Sequence, residues 1–366
     1  MVLIMSGQTL KYPDLGKPTW KDRGAAIAAS RYFVGTTVES LVDGTKKLNV
    51  ERFGVIADLV GESKDCEKKQ LRADRIRIIG DIILSEELEA AIALRPGQFG
   101  YDYKLLREVA DELAKKGIFV WIDIEKRDTV DLTISAYLDI VGENPGRVGL
   151  ALQAYLNRTM RDIDRLIAFT ICNGIEIHIR PVRGVYVGEA DMGMLEMHEN
   201  LTRMMDVLAT CGNANVIQHP ASHHPLQIAH GIKLNKQYGN VVRSIQLLMG
   251  VFRRIPGMIR DAGTPTEIYM PYGPELEAYL RRRNEEAGGT MRGLLLAGFN
   301  ERRNIRTLRE TGALDRQFEV TMFTDGHPKT GSLVMTPDDK GRVIMNIDMP
   351  GSMNMRITPS GKVVRQ

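Results

Sequence analysis

Tyr279, Arg282, Arg283 and Glu286, within the stretch YMPYGPELEAYLRRRNEE that begins at Tyr269, recur at i, i+3, i+4 and i+7. On a helix starting near Pro274 that spacing makes one continuous stripe. Such a stripe is usually apolar. Two guanidiniums, a phenol and a carboxylate leave two readings, a solvated face or the wall of a cavity that holds an anionic ligand. More polar residues close a series of apolar runs upstream: Asp123 and Glu125, Gln153, Arg180 and Arg183 before Gly184, the segment HPASHHP, Gln246 and Tyr269. If Arg180, Arg282 and Arg283 share one mouth, like charges repel there unless an anion joins them.

These side chains need a scaffold that brings distant segments together. Between about residues 52 and 286, short β-rich runs alternate with helical patterns, the signature of repeated βα units on a parallel sheet. The runs are FGVIADL from Phe53, AIALR from Ala91, IFVWIDIE from Ile118, VGLALQA from Val148, IEIHIRPV from Ile175, NVIQHPA from Asn215, VVRSIQLL from Val241 and EIYMP from Glu267. Eight such units fit an α/β (β/α)8 TIM-like barrel better than an open sheet, and no GxGxxG follows the first strand. In such a barrel the strand C-termini carry the chemistry, which is where the polar residues cluster. The expected organisation is an N-terminal helical arm over 1–50, the barrel over 51–312 and a small antiparallel β unit over 313–366. The tail's alternation in QFEVTMFT, SLVMTP, RVIMNIDMP and NMRITPSGKVVRQ, broken by DGHPKTG, DDKG and PGS, carries the last expectation.

Composition narrows the function classes. A net charge of +3 on 366 residues, with basic pairs scattered at Arg253-Arg254 and Arg302-Arg303, gives no footprint for nucleic acid. Cys66, Cys172 and Cys211 are odd in number and widely spaced, so neither a disulfide framework nor a CxxC metal pattern is present, and a reducing compartment is expected. The N-terminus lacks the charged region of a signal peptide, and no apolar run reaches the roughly 18–20 residues that span a bilayer. The expected location is the cytoplasm, with peripheral contact at a membrane left open.

Eight segments in order then carry a family resemblance: RYFVGTTVESL, ADLVGES, VWIDIEKRDTVDLT, GLALQAYLNRTMRDIDRL, RPVRGVYVGEADM, ASHHP, IQLLMG and YMPYGPELEAYLRRRNEE. The chain resembles the flavin-dependent proline dehydrogenases over roughly residues 31–286. The resemblance implies a distorted (β/α)8 barrel holding FAD, and oxidation of proline to Δ1-pyrroline-5-carboxylate by hydride transfer to flavin N5. By position it implies that Arg180 sits near N5 and Gln153 at the isoalloxazine edge. Arg183, Gly184, Val185 and Tyr186 match the family's KGAY turn against the cofactor, and Val182 before it is a further cofactor contact. Ser222 and His223 match its Thr-His pair, Gln246 and Leu248 its strand-seven contacts, and Glu286 the adenosine end. Arg282 and Arg283 then clamp the substrate carboxylate, Tyr269 and Tyr279 wall the ring, and Asp123 orients the group.

One departure bears on the substrate. Family members carry a lysine on strand two that helps hold the carboxylate, and Ala93 stands there in this chain. Arg95, two residues on, shares its face by the strand's period and is the replacement cation expected from the sequence. Another cyclic or N-alkyl amino acid is therefore the alternative substrate, and a flavin-binding scaffold without turnover a third reading. A metal site built from His219, His223 and His224 is disfavoured, since near neighbours on a strand-to-loop segment point apart. The expected partners are a small amino or imino acid and an electron acceptor, either quinone or a redox protein. The β tail leaves a homo-oligomer open.

Overall fold

The computed structural model describes residue 12 and residues 31–61, 66–184, 190–212, 215–238, 241–275, 300–324, 327–337, 343–348, 355–358 and 363–365. All eight predicted runs form strands: β1 (Gly54–Leu59), β2 (Ala90–Leu94), β3 (Val120–Asp123), β4 (Val148–Gln153), β5 (Ile177–Val182), β6 (Val216–Gln218), β7 (Ile245–Leu248) and β8 (Thr266–Tyr272). They pair in parallel in the order β6-β5-β4-β3-β2-β1-β8-β7. Single bridges between Gln218 and Val242 and between Ala221 and Gln246 join the two ends of that ladder. The predicted barrel is therefore the observed architecture, with a thin seam at β6 and β7. The seam has a local cause. Pro220 lacks the N–H that would continue β6, so regular pairing stops at Gln218 and only an isolated bridge resumes at Ala221.

Described helices cover the strands: α1 (Val38–Val50), α2 (Cys66–Ser85), α3 (Tyr103–Lys115), α4 (Val130–Glu143), α5 (Thr159–Asn173), α6 (Met194–Thr210), α7 (Pro225–Tyr238), α8 (Ile255–Asp261) and α9 (Glu301–Glu310). Helix α3 shows how sequence dictates placement. Asp102 caps it by accepting from Leu105 N at 3.1 Å, and Leu105, Leu106, Val109, Ala110 and Leu113 form the buried face toward the sheet. Strands buried on both faces, such as β4, lose the hydrophobic alternation and read as continuous apolar runs. Inside the barrel, Ile56, Ala91, Ala93 and Trp121 form a small separate cluster with Phe119 and Tyr269. Trp121 requires the glycine opposite it, because a Cβ on Gly149 would lie 2.4 Å from the indole. Large and small side chains thus alternate across the interior, leaving its upper layer to polar groups.

Beyond the barrel, Glu301 at the start of α9 accepts from the backbone N–H groups of Arg253, Arg254 and Ile255 at 2.7, 2.7 and 3.2 Å, capping α8 from outside. The C-terminal residues form an antiparallel sheet in the order β13-β12-β11-β10-β9, with β9 (Arg316–Thr324), β10 (His327–Pro337), β11 (Val343–Asp348), β12 (Met355–Ile357) and β13 (Val363–Arg365). One predicted boundary moves. The segment His327–Gly331, expected to be part of a connection, lies in β10, opposite Val320–Thr324. Among the described residues, β11 pairs with β10 from Ser332 to Pro337. Lys236 on α7 donates to the carbonyls of Ala313 and Asp315 at 2.8 and 2.6 Å, tying the barrel to the approach of this sheet.

Candidate active site

The strand period of two sends Trp121 and Asp123 from β3, His178 and Arg180 from β5, Gln246 from β7 with Ser244 just before it, and Glu267 and Tyr269 from β8 into the barrel. Arg180, only 2% exposed, is the centre of the upper layer. Its Nη2 donates to Asp123 Oδ1 and its Nη1 to Gln246 Oε1 at 3.2 Å. The guanidinium carbon stands 4.6 Å from the Trp121 ring centroid and 5.5 Å from that of Tyr269. The Tyr269 hydroxyl donates to Asp123 Oδ2 at 3.1 Å. Burial, reinforced by the charges of Asp58 and Asp123, raises the Tyr269 phenol well above its ordinary value, so it stays a donor. Four residues read separately from the sequence, Asp123, Arg180, Gln246 and Tyr269, are thus one hydrogen-bonded unit.

Gln153, at the end of β4, is buried. Its Nε2 donates to the Ile124 carbonyl at 2.8 Å, while its Oε1 has no partner among the described residues. Arg183 follows β5 after the half-buried Val182, and among the described residues its guanidinium meets the Gly184 carbonyl at 3.4 Å and Met194 Sδ at 3.8 Å. Gly184 has φ +104°, and a Cβ there would fall 1.7 Å from the Tyr155 ring, so the requirement for glycine comes from packing on Tyr155. The Ser222 hydroxyl donates to Gln227 Oε1 and accepts from His224 N at 3.0 Å. His223 Nε2 accepts from Leu248 N at 3.0 Å, which joins two of the expected cofactor residues across the seam. Val185 and Tyr186 lie outside the described residues.

The neutral state of His223 has a consequence for stability. Burial, followed by the Arg183 charge, pushes its pKa from 6.5 down to about 4, and burial lowers His178, His198 and His224 in the same direction. The unfolded chain takes up these protons near 6.5, and the folded chain only at lower pH, about 4 for His223 and His178. Stability is therefore fully present above about pH 6.5 and lost as pH falls from there through about 4. The denaturant midpoint should decline steadily across this window, and a flat profile would count against the buried neutral histidines.

The expected substrate residues divide. Arg95 lies just past β2, and its Nη2 pairs with Asp58 Oδ1 at 2.9 Å and donates to the Leu59 carbonyl at 3.1 Å. Both residues are buried, so the cation expected to replace the family lysine has an internal counter-ion. Ala93 is packed against Ile56, Ala91 and Trp121. Glu125 accepts from Gly97 N at 2.6 Å, and burial raises its pKa despite Arg95 nearby. Tyr279, Arg282, Arg283 and Glu286 lie outside the described residues.

Sequence reasoning passed over Asp58, His178 and Glu267. Asp58 was readable, since Ile56 and Asp58 share the inward face of β1. His178, His219 and Glu267 were not, because they are core residues whose partners lie on other strands. His219 turns inward to His178, His223 toward Leu248 N, and His224 rests on His198 with ring centroids 4.5 Å apart.

The proline dehydrogenase family model matches residues 41–293, more than half of the chain. The chain belongs to the proline dehydrogenase family. It is 26% identical to the proline dehydrogenase of Deinococcus radiodurans over 282 residues, covering 70% of this chain and 86% of that one. It is 25% identical to proline dehydrogenase 2 of Bacillus subtilis (strain 168) over 275 residues, covering 72% and 88%. Among solved structures, proline utilization A from Bdellovibrio bacteriovorus inactivated by N-propargylglycine superposes with a TM-score of 0.63 at 17% identity, over 72% of this chain. A Bradyrhizobium japonicum proline utilization A variant gives 0.61 at 17% identity, over 80% of this chain. The chain spans about a third of the length of those two proteins, 32% and 34%, and the likeness carries the barrel fold. The family is one of flavoenzymes. The residues present suit a flavin: among the described residues, Gln153 Oε1 is a buried acceptor and Arg180 Nε a buried donor with no partner, and no carboxylate meets the Arg183 cation. No helix among the described residues is long and apolar enough to cross a membrane.

Proposed function

We propose that the protein oxidises L-proline to Δ1-pyrroline-5-carboxylate in proline catabolism, with FAD as its cofactor. The observation that carries this reading is the Asp123–Arg180–Gln246–Tyr269 unit, gathered inside the barrel of a chain that the proline dehydrogenase family model matches. When bound, FAD supplies the two-electron acceptor for the hydride leaving proline C5. Gln153 and Arg180 bind its ring system, and Arg180 offers fixed positive charge where negative charge develops. Arg183, with Val182, Gly184, Val185 and Tyr186, lines the cofactor beside Ser222, His223 and Leu248, and Glu286 holds the adenosine. Arg282 and Arg283 would clamp the substrate carboxylate, while Tyr279 and Tyr269, the latter held by Asp123, would wall the ring. Arg95, paired with Asp58, would line the substrate side of the site from the end of β2. Electrons then pass to quinone or to a redox protein.

A second substrate class has a specific observation behind it. Ala93 leaves no lysine at the strand-two position, and Arg95 is engaged with Asp58, so a cyclic or N-alkyl amino acid of different size is the competing reading. Anaerobic titration of the yellow holoenzyme, followed at the flavin absorbance, separates them. Proline should bleach the flavin at lower concentration than hydroxyproline, pipecolate or sarcosine. Preferential bleaching by one of the others reassigns the substrate, and no bleaching by any imino acid overturns the enzymatic reading.

A further inference from the structure

Beneath Arg180 the barrel holds a second polar layer that the reaction as described leaves unused. Glu267, the second residue of β8, gathers three polar neighbours around one oxygen. Gln246 Nε2 donates to its Oε2 at 2.9 Å, Ser244 Oγ donates to the same atom, and His219 Nδ1 lies 3.2 Å away. The layer continues outward. His219 Nε2 meets His178 Nδ1 at 3.0 Å, and His178 Nε2 meets Glu176 Oε1 at 3.0 Å. Phe119 and Trp121 pack edge-on against His178 and His219, each pair with ring centroids 4.9 Å apart. Burial raises the Glu267 pKa, but bonds from His219, Ser244 and Gln246 outweigh it and hold the carboxyl at about 2.

We propose that Glu267 is a positioning residue for proline oxidation: it fixes which way the Gln246 amide faces, and through that amide the orientation of Arg180. This rests on the reading of the site as a flavin-dependent proline oxidation centre. A glutamine side chain presents a donor on one atom and an acceptor on the other, and the two ends have nearly the same shape. Facing Arg180 with its NH2 group would set donor against donor. An ionised carboxylate can only accept, so Glu267 compels Nε2 to face the floor and leaves Oε1 to Arg180. The orientation is then inherited upward, from Gln246 to Arg180, to Asp123 and to Tyr269. Tyr269 lies on β8 two residues beyond Glu267, so the circuit begins and ends on the same strand. Glu267 cannot readily swing away, because His219 and Ser244 hold the same oxygen and the aromatic rings fill the space around the imidazoles.

Two substitutions separate orientation from charge. Glu267→Gln removes the charge but keeps an acceptor oxygen at the same reach. Glu267→Asp keeps the charge but withdraws it from Gln246 by one methylene. The wild-type holoenzyme is first mixed anaerobically with proline, and failure to bleach there defeats the underlying reading before any variant is made. Given a bleaching wild type, Glu267→Asp should lower the rate constant of flavin reduction about ten- to a hundredfold. Its proline dissociation constant should change little, and its flavin midpoint potential should move more negative as Arg180 is displaced. Glu267→Gln should restore the rate constant to within about threefold of wild type. A purely structural role would instead lower thermal stability or flavin occupancy in both variants without this crossed pattern. Should Glu267→Asp not fold, Glu267→Met, of matched length and with no comparable acceptor, replaces it with the same expected loss. A folded, flavin-loaded Asp or Met variant that reduces at the wild-type rate overturns the proposal. So does a Gln variant that falls as far as the Asp variant, since charge alone would then be responsible.

Discussion

Arg180→Lys should slow reduction of the flavin by proline by about a hundred- to a thousandfold, the scale on which a preorganised charge aimed at the reacting centre contributes. The charge survives the substitution, so the expected loss comes from geometry. The guanidinium bonds Asp123 through Nη2 and Gln246 through Nη1 while its face lies 4.6 Å over Trp121. A lysine ammonium is a compact point charge that cannot make both bonds in one plane and also stack on the indole. Released from Arg180, Asp123 would keep only Tyr269 as a described side-chain donor, and the unit would lose its common orientation. Stopped-flow measurement of the reductive half-reaction tests this, with flavin content and melting temperature as controls. A reduction rate within a few-fold of wild type would remove Arg180 from the centre of the reaction.

Gly184→Ala should destabilise the protein by about 3 kcal/mol or more, through steric overlap and backbone strain together. The added methyl would stand 1.7 Å from a Tyr155 ring that is itself 1% exposed, at a φ of +104° that L-residues rarely adopt. Relief is restricted on both sides. Tyr155 N donates to the Arg183 carbonyl at 3.1 Å, and its own carbonyl accepts from Asp191 N at 2.9 Å. Moving the ring therefore moves the turn that presents Arg183. For a chain of this size the loss corresponds to a fall of roughly 4 °C in melting temperature, accompanied by weaker flavin retention. Calorimetry of holo and flavin-stripped protein measures both effects. An unchanged melting temperature in the flavin-stripped variant would mean that the strand-five turn relaxes freely, contrary to the packing seen.

The polar interior also explains why the chain tolerates an alanine at the strand-two position. Ala93 lies beside Trp121 in an apolar cluster, and Arg95 brings the nearest cation of that strand to Asp58 on β1. A buried ion pair of this kind adds little net stability over apolar packing, yet removing one partner leaves a charge stranded at a cost of about 3–5 kcal/mol. Arg95 and Asp58 are consequently expected to act as a pair, whatever the substrate.

The amino-acid sequence by itself determined the eight strands, their barrel arrangement, the antiparallel tail and the family. Each rests on local period and segment order, which survive without knowledge of contacts: β4 reads as an apolar run, α3 as a capped amphipathic helix, and the strand-end polar residues fall where a barrel has its mouth. Tertiary structure alone decided the partners. Arg180 and Asp123 are 57 positions apart and Tyr269 and Asp123 are 146 apart, so no periodicity within a segment encodes those bonds. The same holds for Arg95, whose face was readable but whose pairing with Asp58 depends on the stagger of adjacent strands. Glu267 looked like the polar start of a strand. Closing the barrel places it under Gln246, because inward-facing residues of neighbouring strands meet only when the sheet curls on itself.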